Sequence, residues 1–413
     1  MTLAITAILL SLAASLCAAA GSAPLLPSQD PWYTAPSGFQ AALPGALLRV
    51  RTAPGNITTI FNASSEAYNI LYRTTDSKYQ PTWAVTTLLI PKQGNGSALL
   101  SYQIPYNSAD PDFAPSYLLY NPAFGGTPPA STDIQTALLS GWHVSIPDFE
   151  THTASFPVGT TEGHAVLDSI RAVISTGFGL AADARYALWG FSGGSLASEW
   201  AAELQALYAP ELRFAGAAIG GTVPNVMSIL QGSPGQWWAG LLPVGLLGIT
   251  AEYPEARAYL LSQLKPSGPY NSTGFLQALH ISISDAFTIY QGQPVFEYFI
   301  NGYDSLQAPI LQDILNQNGY MGYHGIPQMP MYVYKSTRDE IAPIEGVDEL
   351  VSRYCSVGVD ILYERNTIGG HLAEYTNGDS RAIDFLRQVL GGMYNHTGCT
   401  IRDVAVNITD SPL

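Results

Sequence analysis

The 413 residues hold 47 % apolar and only 12 % charged side chains. That balance supports a large buried core and excludes a disordered chain. The formal net charge is −15, which excludes nucleic acid as a partner, because binding a polyanion needs clustered Lys and Arg.

From Leu3 to Ala20 every side chain is uncharged and most are small or apolar. Residues 1–20 are expected to be a signal peptide, cut after the small-residue run Cys17-Ala18-Ala19-Ala20. A membrane anchor is the weaker reading, since the apolar core is short and rich in Ala. No later segment reaches spanning length without Pro, Gly or charge, so no transmembrane segment is expected in the mature chain. Six N-x-S/T sequons, at Asn56, Asn62, Asn95, Asn271, Asn395 and Asn407, agree with a secreted, extracellular glycoprotein. Once Cys17 is lost, Cys355 and Cys399 remain. In an oxidising compartment a disulfide between them is the simplest reading, and two buried thiols the alternative.

Residues 21–50, rich in Pro and Ala, are expected to form an irregular lead-in. Runs of β-branched and aromatic residues then predict strands at 57–61, 68–72, 83–90 and 98–102, an opening antiparallel stretch. From about residue 133 the texture changes. A short helix over 133–139, a strand over 142–148, a helix over 161–175, a short strand over 186–189 and a helix through Leu196, Trp200, Leu204 and Leu207 follow in turn, then a strand over 214–219. Such alternation indicates parallel βαβ units. Residues 225–320 break the rhythm and are too many for a loop, so they are expected to be an inserted helical cap or lid. Its Trp237 and Trp238 are read either as part of an acyl tunnel or lipid-facing lid, or as packing within the cap. The rhythm resumes with a strand over 331–335, a helix over 346–355, a strand over 359–363 and a closing helix over 380–390. The core is therefore expected to span 21–224 and 321–413.

The chemistry centres on Gly190-Phe191-Ser192-Gly193-Gly194. A bare G-x-S-x-G is common by chance, but here a short apolar strand precedes it and a long helix follows, the order that builds a nucleophile elbow. A serine hydroxyl needs a base, normally His, oriented by a carboxylate. In such a fold the chain order is Ser, then acid, then His. His280, His324, His371 and His396 lie downstream. His371, after the last expected strand and the flexible Thr367-Ile368-Gly369-Gly370, is the expected base. Asp339, in the loop after the strand over 331–335, is the expected acid, with Glu340 as its competitor. The oxyanion hole is expected to use the Gly193 backbone N–H and, from the loop after an early strand, Asn107. No zinc motif is present: His371-Leu372-Ala373-Glu374 lacks a second His. Gly177 to Ala182 mimics a dinucleotide fingerprint but follows a helix and precedes a strand, the reverse of what phosphate binding requires. No cofactor or metal is expected.

Further blocks surround these residues. They include Asp30-Pro31-Trp32-Tyr33, Ser101-Tyr102-Gln103-Ile104, Ala114-Pro115-Ser116-Tyr117, Glu162 to Asp168, Tyr208 to Leu212, Gly220-Gly221-Thr222, Asp339 to Pro343 and Gly370-His371-Leu372. With them the chain resembles the fungal secretory lipase family, lipase A type, over nearly all of the mature chain. The resemblance implies an α/β-hydrolase fold, a doubly wound, mostly parallel sheet with a cap between nucleophile and acid. It implies the triad Ser192, Asp339 and His371 and activity on triacylglycerols or simpler esters. It also implies that Asn107 stands where the lipase A type has Asp, that Phe113 replaces a half-cystine, and that Cys355–Cys399 is retained. The expected function is a secreted carboxylic ester hydrolase, a lipase or esterase working through an acyl-enzyme, with transient contact to a lipid interface. Its rivals are a transacylase, a serine peptidase and a non-catalytic hydrolase-like binding protein.

Overall fold

The β-branched and aromatic runs assemble into one sheet of ten strands in the computed structural model, which describes residues 24–120 and 128–408. The expected signal peptide lies outside those residues. The strands are β1 (Leu47–Thr52), β2 (Ser64–Thr75), β3 (Pro81–Pro91), β4 (Ala98–Gln103), β5 (His143–Pro147), β6 (Arg185–Phe191), β7 (Gly216–Gly220), β8 (Met331–Ser336), β9 (Ile361–Asn366) and β10 (Cys399–Val404). Their order is β1-β2-β3-β5-β4-β6-β7-β8-β9-β10. β1, β2, β3 and β5 pair antiparallel, and every pairing from β5 to β10 is parallel. β4 lies between β5 and β6, so the chain leaves β4 and β6 towards opposite sides. The crevice at the carboxyl ends of two such strands is where open α/β sheets bind ligands.

Helices cover both faces, as a parallel sheet requires. α1 (Pro128–Leu139) and the last helix, α8 (His371–Leu390), bury Ile134, Leu138, Phe385 and Leu386 against one face. α2 (Gly159–Thr176), α3 (Gly193–Tyr208) and α7 (Ile344–Ser356) bury Val166, Ile170, Leu196, Trp200 and Val351 against the other.

Between β7 and β8 the chain adds no strand to the sheet. It forms α4 (Val226–Gly232), α5 (Leu241–Ile249), α6 (Pro309–Asn318) and shorter turns. An antiparallel bridge joins Asn225 to Tyr320, with the Val226 N–H donating to Gly319 O (2.9 Å) and the Met321 N–H to Pro224 O (3.0 Å). The two ends of this segment therefore leave and re-enter side by side. All nine residues of α5 are buried, as a helix apolar on every side must be. Trp238 is buried and Trp237 packs edge-on against Phe287 (5.3 Å).

Four expectations need correction. Residues 57–60 form one helical turn, not a strand, because it places Ile57 and Phe61 together in the core, each 2 % exposed. The lead-in is not wholly irregular: its end, from Leu47, is β1, paired with β2. β10 was not foreseen; its residues are mostly exposed and show no alternation. The closing helix begins at His371 rather than Ser380.

Cys355 and Cys399 are disulfide-bonded, with Cα atoms 5.6 Å apart, which ties β10 to α7. Of the sequon asparagines, Asn56, Asn62, Asn95 and Asn395 are exposed, and Asn271 and Asn407 half-buried. Among the described residues no helix is long and apolar enough to cross a membrane.

Candidate active site

Ser192 joins β6 to α3 in a left-handed backbone conformation, φ 53° and ψ −122°. A side chain tolerates this region only under strain, and the flanking glycines make it fit. A Cβ on Gly190 would collide with the Gly194 carbonyl, and one on Gly194 with the Gln103 carbonyl of β4. The elbow thus packs directly on its neighbouring strand. Its hydroxyl stands at the N-terminus of a 16-residue helix, whose dipole favours developing negative charge.

The serine hydroxyl hydrogen-bonds His371 Nε2 at 2.9 Å. His371 Nδ1 hydrogen-bonds Asp339 Oδ2 at 2.7 Å. The three side chains, 179 and 32 positions apart, form one relay. His371 is only 2 % exposed, and its ring lies 5.1 Å from that of Phe191, which itself stacks on Tyr375.

Asp339 is held from four directions. Oδ1 accepts the backbone N–H of Ile341 (3.0 Å) and Ala342 (2.8 Å). Oδ2 accepts from His371 and from the Lys335 ammonium (2.7 Å). Burial opposes its charge, yet the imidazole and the ammonium prevail and hold the carboxyl well below the usual carboxylate range. Glu340 does a different job. Its Oε2 accepts the His371 backbone N–H at 2.9 Å, satisfying a donor at the start of α8.

The other downstream histidines are elsewhere. His324 pairs with Glu203 (3.3 Å), His396 with Thr400 (2.9 Å), and His280 is exposed. Asn107 follows β4, at φ 42°. Its side chain lies over Gly193, where a Cβ would meet Asn107 Oδ1; that oxygen is buried without a protein partner. The adjacent Ser108 N–H donates to the buried Glu150 carboxylate at 3.0 Å, which fixes the loop. Asn107, Ser192 and Gly193 line one apolar cavity of about 40 Å³ with Phe156, Leu196 and Gly245. Neither Trp237 nor Trp238 lines it.

Sequence reasoning missed Lys335, whose only signal was a charge inside an otherwise apolar strand. It also missed Glu150, which carried no signal beyond being a carboxylate after β5. Together the relay, the elbow and the apolar cavity can transfer an acyl group to a hydroxyl and on to water.

The profile of the secretory lipase family matches residues 129–397. The chain is 47 % identical to a trichothecene C-3 esterase of Fusarium sporotrichioides over 96 % of its own length and 91 % of that protein. It is 37 % identical to lipase A of Arthroderma benhamiae over 92 % of its length and 83 % of that protein. The structure of Candida antarctica lipase A in its closed state superposes with a TM-score of 0.85 at 27 % identity, covering 95 % of this chain and 92 % of that one. The fold is that of the α/β hydrolases, and the chain belongs to the secretory lipase family and is a carboxylic ester hydrolase.

Proposed function

We propose that the chain cleaves esters of short carboxylic acids through an acyl-enzyme on Ser192. The Ser192 oxygen attacks the ester carbonyl carbon while its proton passes to His371 Nε2, which Asp339 orients through Nδ1. The tetrahedral oxyanion is held by the Gly193 N–H and by the side-chain NH₂ of Asn107. His371 returns the proton to the departing alcohol. Water then attacks the acyl-enzyme with His371 again as base, and the acid leaves. The observation that carries this reading is the unbroken contact from Ser192 Oγ through His371 to Asp339.

The cavity supports a short acyl group. Its about 40 Å³ falls far below the ~300–1,000 Å³ of pockets that enclose larger ligands, which favours a short acyl group over a long chain. Of the lipase and esterase readings, this favours the esterase, and so do the relatives. A trichothecene C-3 esterase at 47 % identity and a protein named as a probable trichothecene esterase at 42 % match more closely than the lipases compared, the first of them at 37 %. A trichothecene ester is the substrate class that these relatives' names suggest for this chain. The segment 225–320 acts as the cap, since α4 and α5 supply walls of the cavity. The name of the family, the disulfide and the exposed sequons favour export from the cell. A short dissolved ester requires no lipid surface.

The test is kcat/KM on p-nitrophenyl acetate, butyrate, octanoate and palmitate, with Ser192→Ala beside the wild type. Acetate and butyrate are expected to lead, and the variant to lose about a thousandfold or more. Undiminished turnover by the variant overturns the mechanism, and preference for palmitate overturns the substrate class.

A further inference from the structure

Lys335 has no place in an ordinary serine-hydrolase relay. Among the four lysines of the sequence it alone is buried, with no exposed surface. It sits in the sheet, on β8, in register with Arg365 of β9. Its ammonium donates to Asp339 Oδ2 at 2.7 Å and to the Thr222 carbonyl at 3.1 Å. Removing an ammonium from water is costly unless a counter-charge and hydrogen bonds compensate. A residue kept only to pack a strand would be apolar.

The oxygen it touches is the one that accepts His371 Nδ1. Two other carboxylates act on the ammonium at longer range, Glu374 from α8 and Glu340 from the loop. Both are committed elsewhere: Glu374 to Arg381 and Asn366, Glu340 to the His371 backbone. Asp339 is the anion that Lys335 neutralises.

We propose that Lys335 is a positioning residue of the reaction, one that pins the Asp339 carboxylate against His371 and cancels its charge. This rests on the acyl-enzyme reading above. A Ser-His-Asp site without a lysine carries one net negative charge, and the oxyanion must form beside it. Here ammonium and carboxylate sum to zero. Moving the serine proton to His371 then creates one positive and one negative charge, so the site stays neutral throughout. With the ammonium gone, a positive charge on the imidazole would face an uncompensated carboxylate, so the pH dependence of turnover is where its loss should be read.

The test is the pH profile of kcat/KM on p-nitrophenyl acetate for wild type, Lys335→Met and Lys335→Arg. Met keeps the length of the side chain without its charge. Its acid limb is expected to move up by about one pH unit, with the plateau lowered about tenfold or more. Arg, which keeps the charge, is expected to hold the wild-type limb. A lowered plateau with an unmoved limb is the result of lost packing alone and overturns the proposal. If neither variant folds, the wild type labelled with ε-¹⁵N-lysine decides. One slowly exchanging ammonium signal that persists from acid to neutral pH is expected, and a neutral amine there overturns the proposal. Ser192→Ala, run in parallel, separates the two levels. Full activity in that variant sinks the hydrolase mechanism itself, whereas an inactive Ser192→Ala beside an unmoved Lys335→Met limb removes only the role of Lys335.

Discussion

Asp339→Asn replaces one oxygen by NH₂, and the consequences can be worked atom by atom. An amide has a single acceptor oxygen, but the site asks for two acceptors. The Ile341 and Ala342 N–H groups, at 3.0 and 2.8 Å, both point at Oδ1 and hold the amide oxygen there. The NH₂ then faces His371 Nδ1 and Lys335 Nζ. It can satisfy the imidazole only if the ring proton moves to Nε2, where His371 can no longer accept the serine proton. A loss of about 10⁴ in kcat is expected. Lys335 meanwhile faces a donor in a site without solvent, and leaving one partner of a buried pair unmatched costs about 3–5 kcal/mol. Both effects are measurable on the same samples, by p-nitrophenyl acetate turnover and by urea unfolding. The double variant Asp339→Asn/Lys335→Met should recover much of the stability and none of the turnover. Turnover in Asp339→Asn within about tenfold of wild type, or a double variant no more stable than the single one, refutes the reasoning.

Three further outcomes follow from the structure. A Cβ on Gly245 would stand 3.6 Å from Leu230 Cδ2 and 3.8 Å from Pro157 Cδ, ordinary contact inside the cavity beside Ser192. Gly245→Ala should therefore fold normally and lower kcat/KM for p-nitrophenyl butyrate about tenfold more than for acetate. Burial outweighs the Ser116 donors and pushes Asp148 up to about 7. Because this folded-state value is raised, the aspartate costs little at pH 4 and its penalty grows as pH rises to 7. The ceiling is about 4 kcal/mol. Wild type should lose urea-measured stability across that window, and Asp148→Asn should lose distinctly less. The Cys355–Cys399 bridge closes 44 residues. Replacing both cysteines by Ser should cost about 4 kcal/mol on the loop-closure estimate, seen as an earlier unfolding midpoint with kcat unchanged, since β10 supplies no residue of the relay.

Most of the sheet was legible because its strands are buried on both faces and carry runs of apolar and aromatic residues, as in Ala98-Leu99-Leu100 and Met331-Tyr332-Val333-Tyr334. The relay was legible for a topological reason: the order Ser, Asp, His and the placement of each after a strand leave few candidates. What escaped was decided by tertiary contact. Ile57 to Phe61 is β-branched and aromatic, and local propensity favours a strand. Burying Ile57 and Phe61 four residues apart selects a helical turn instead. β10 has no amphipathic signature, since pairing to β9, the disulfide and the Arg402–Glu364 ion pair hold it at the sheet edge. His371 looked like a loop residue because Gly369 and Gly370 precede it, and Glu340, four-fifths of the way along the chain, caps the helix that starts there. Lys335 was hidden most completely. A lysine in a strand run reads as the strand's wet end, and only the packed structure puts its ammonium on the acid of the relay.

The most direct test is stoichiometric labelling with diethyl p-nitrophenyl phosphate followed by peptide mass mapping. One diethylphosphoryl group is expected per chain, on Ser192 in the segment Gly190-Phe191-Ser192-Gly193-Gly194. Loss of p-nitrophenyl acetate turnover should run in step with its incorporation. Complete labelling of Ser192 with turnover intact, or lost turnover with the label on another residue, contradicts the account.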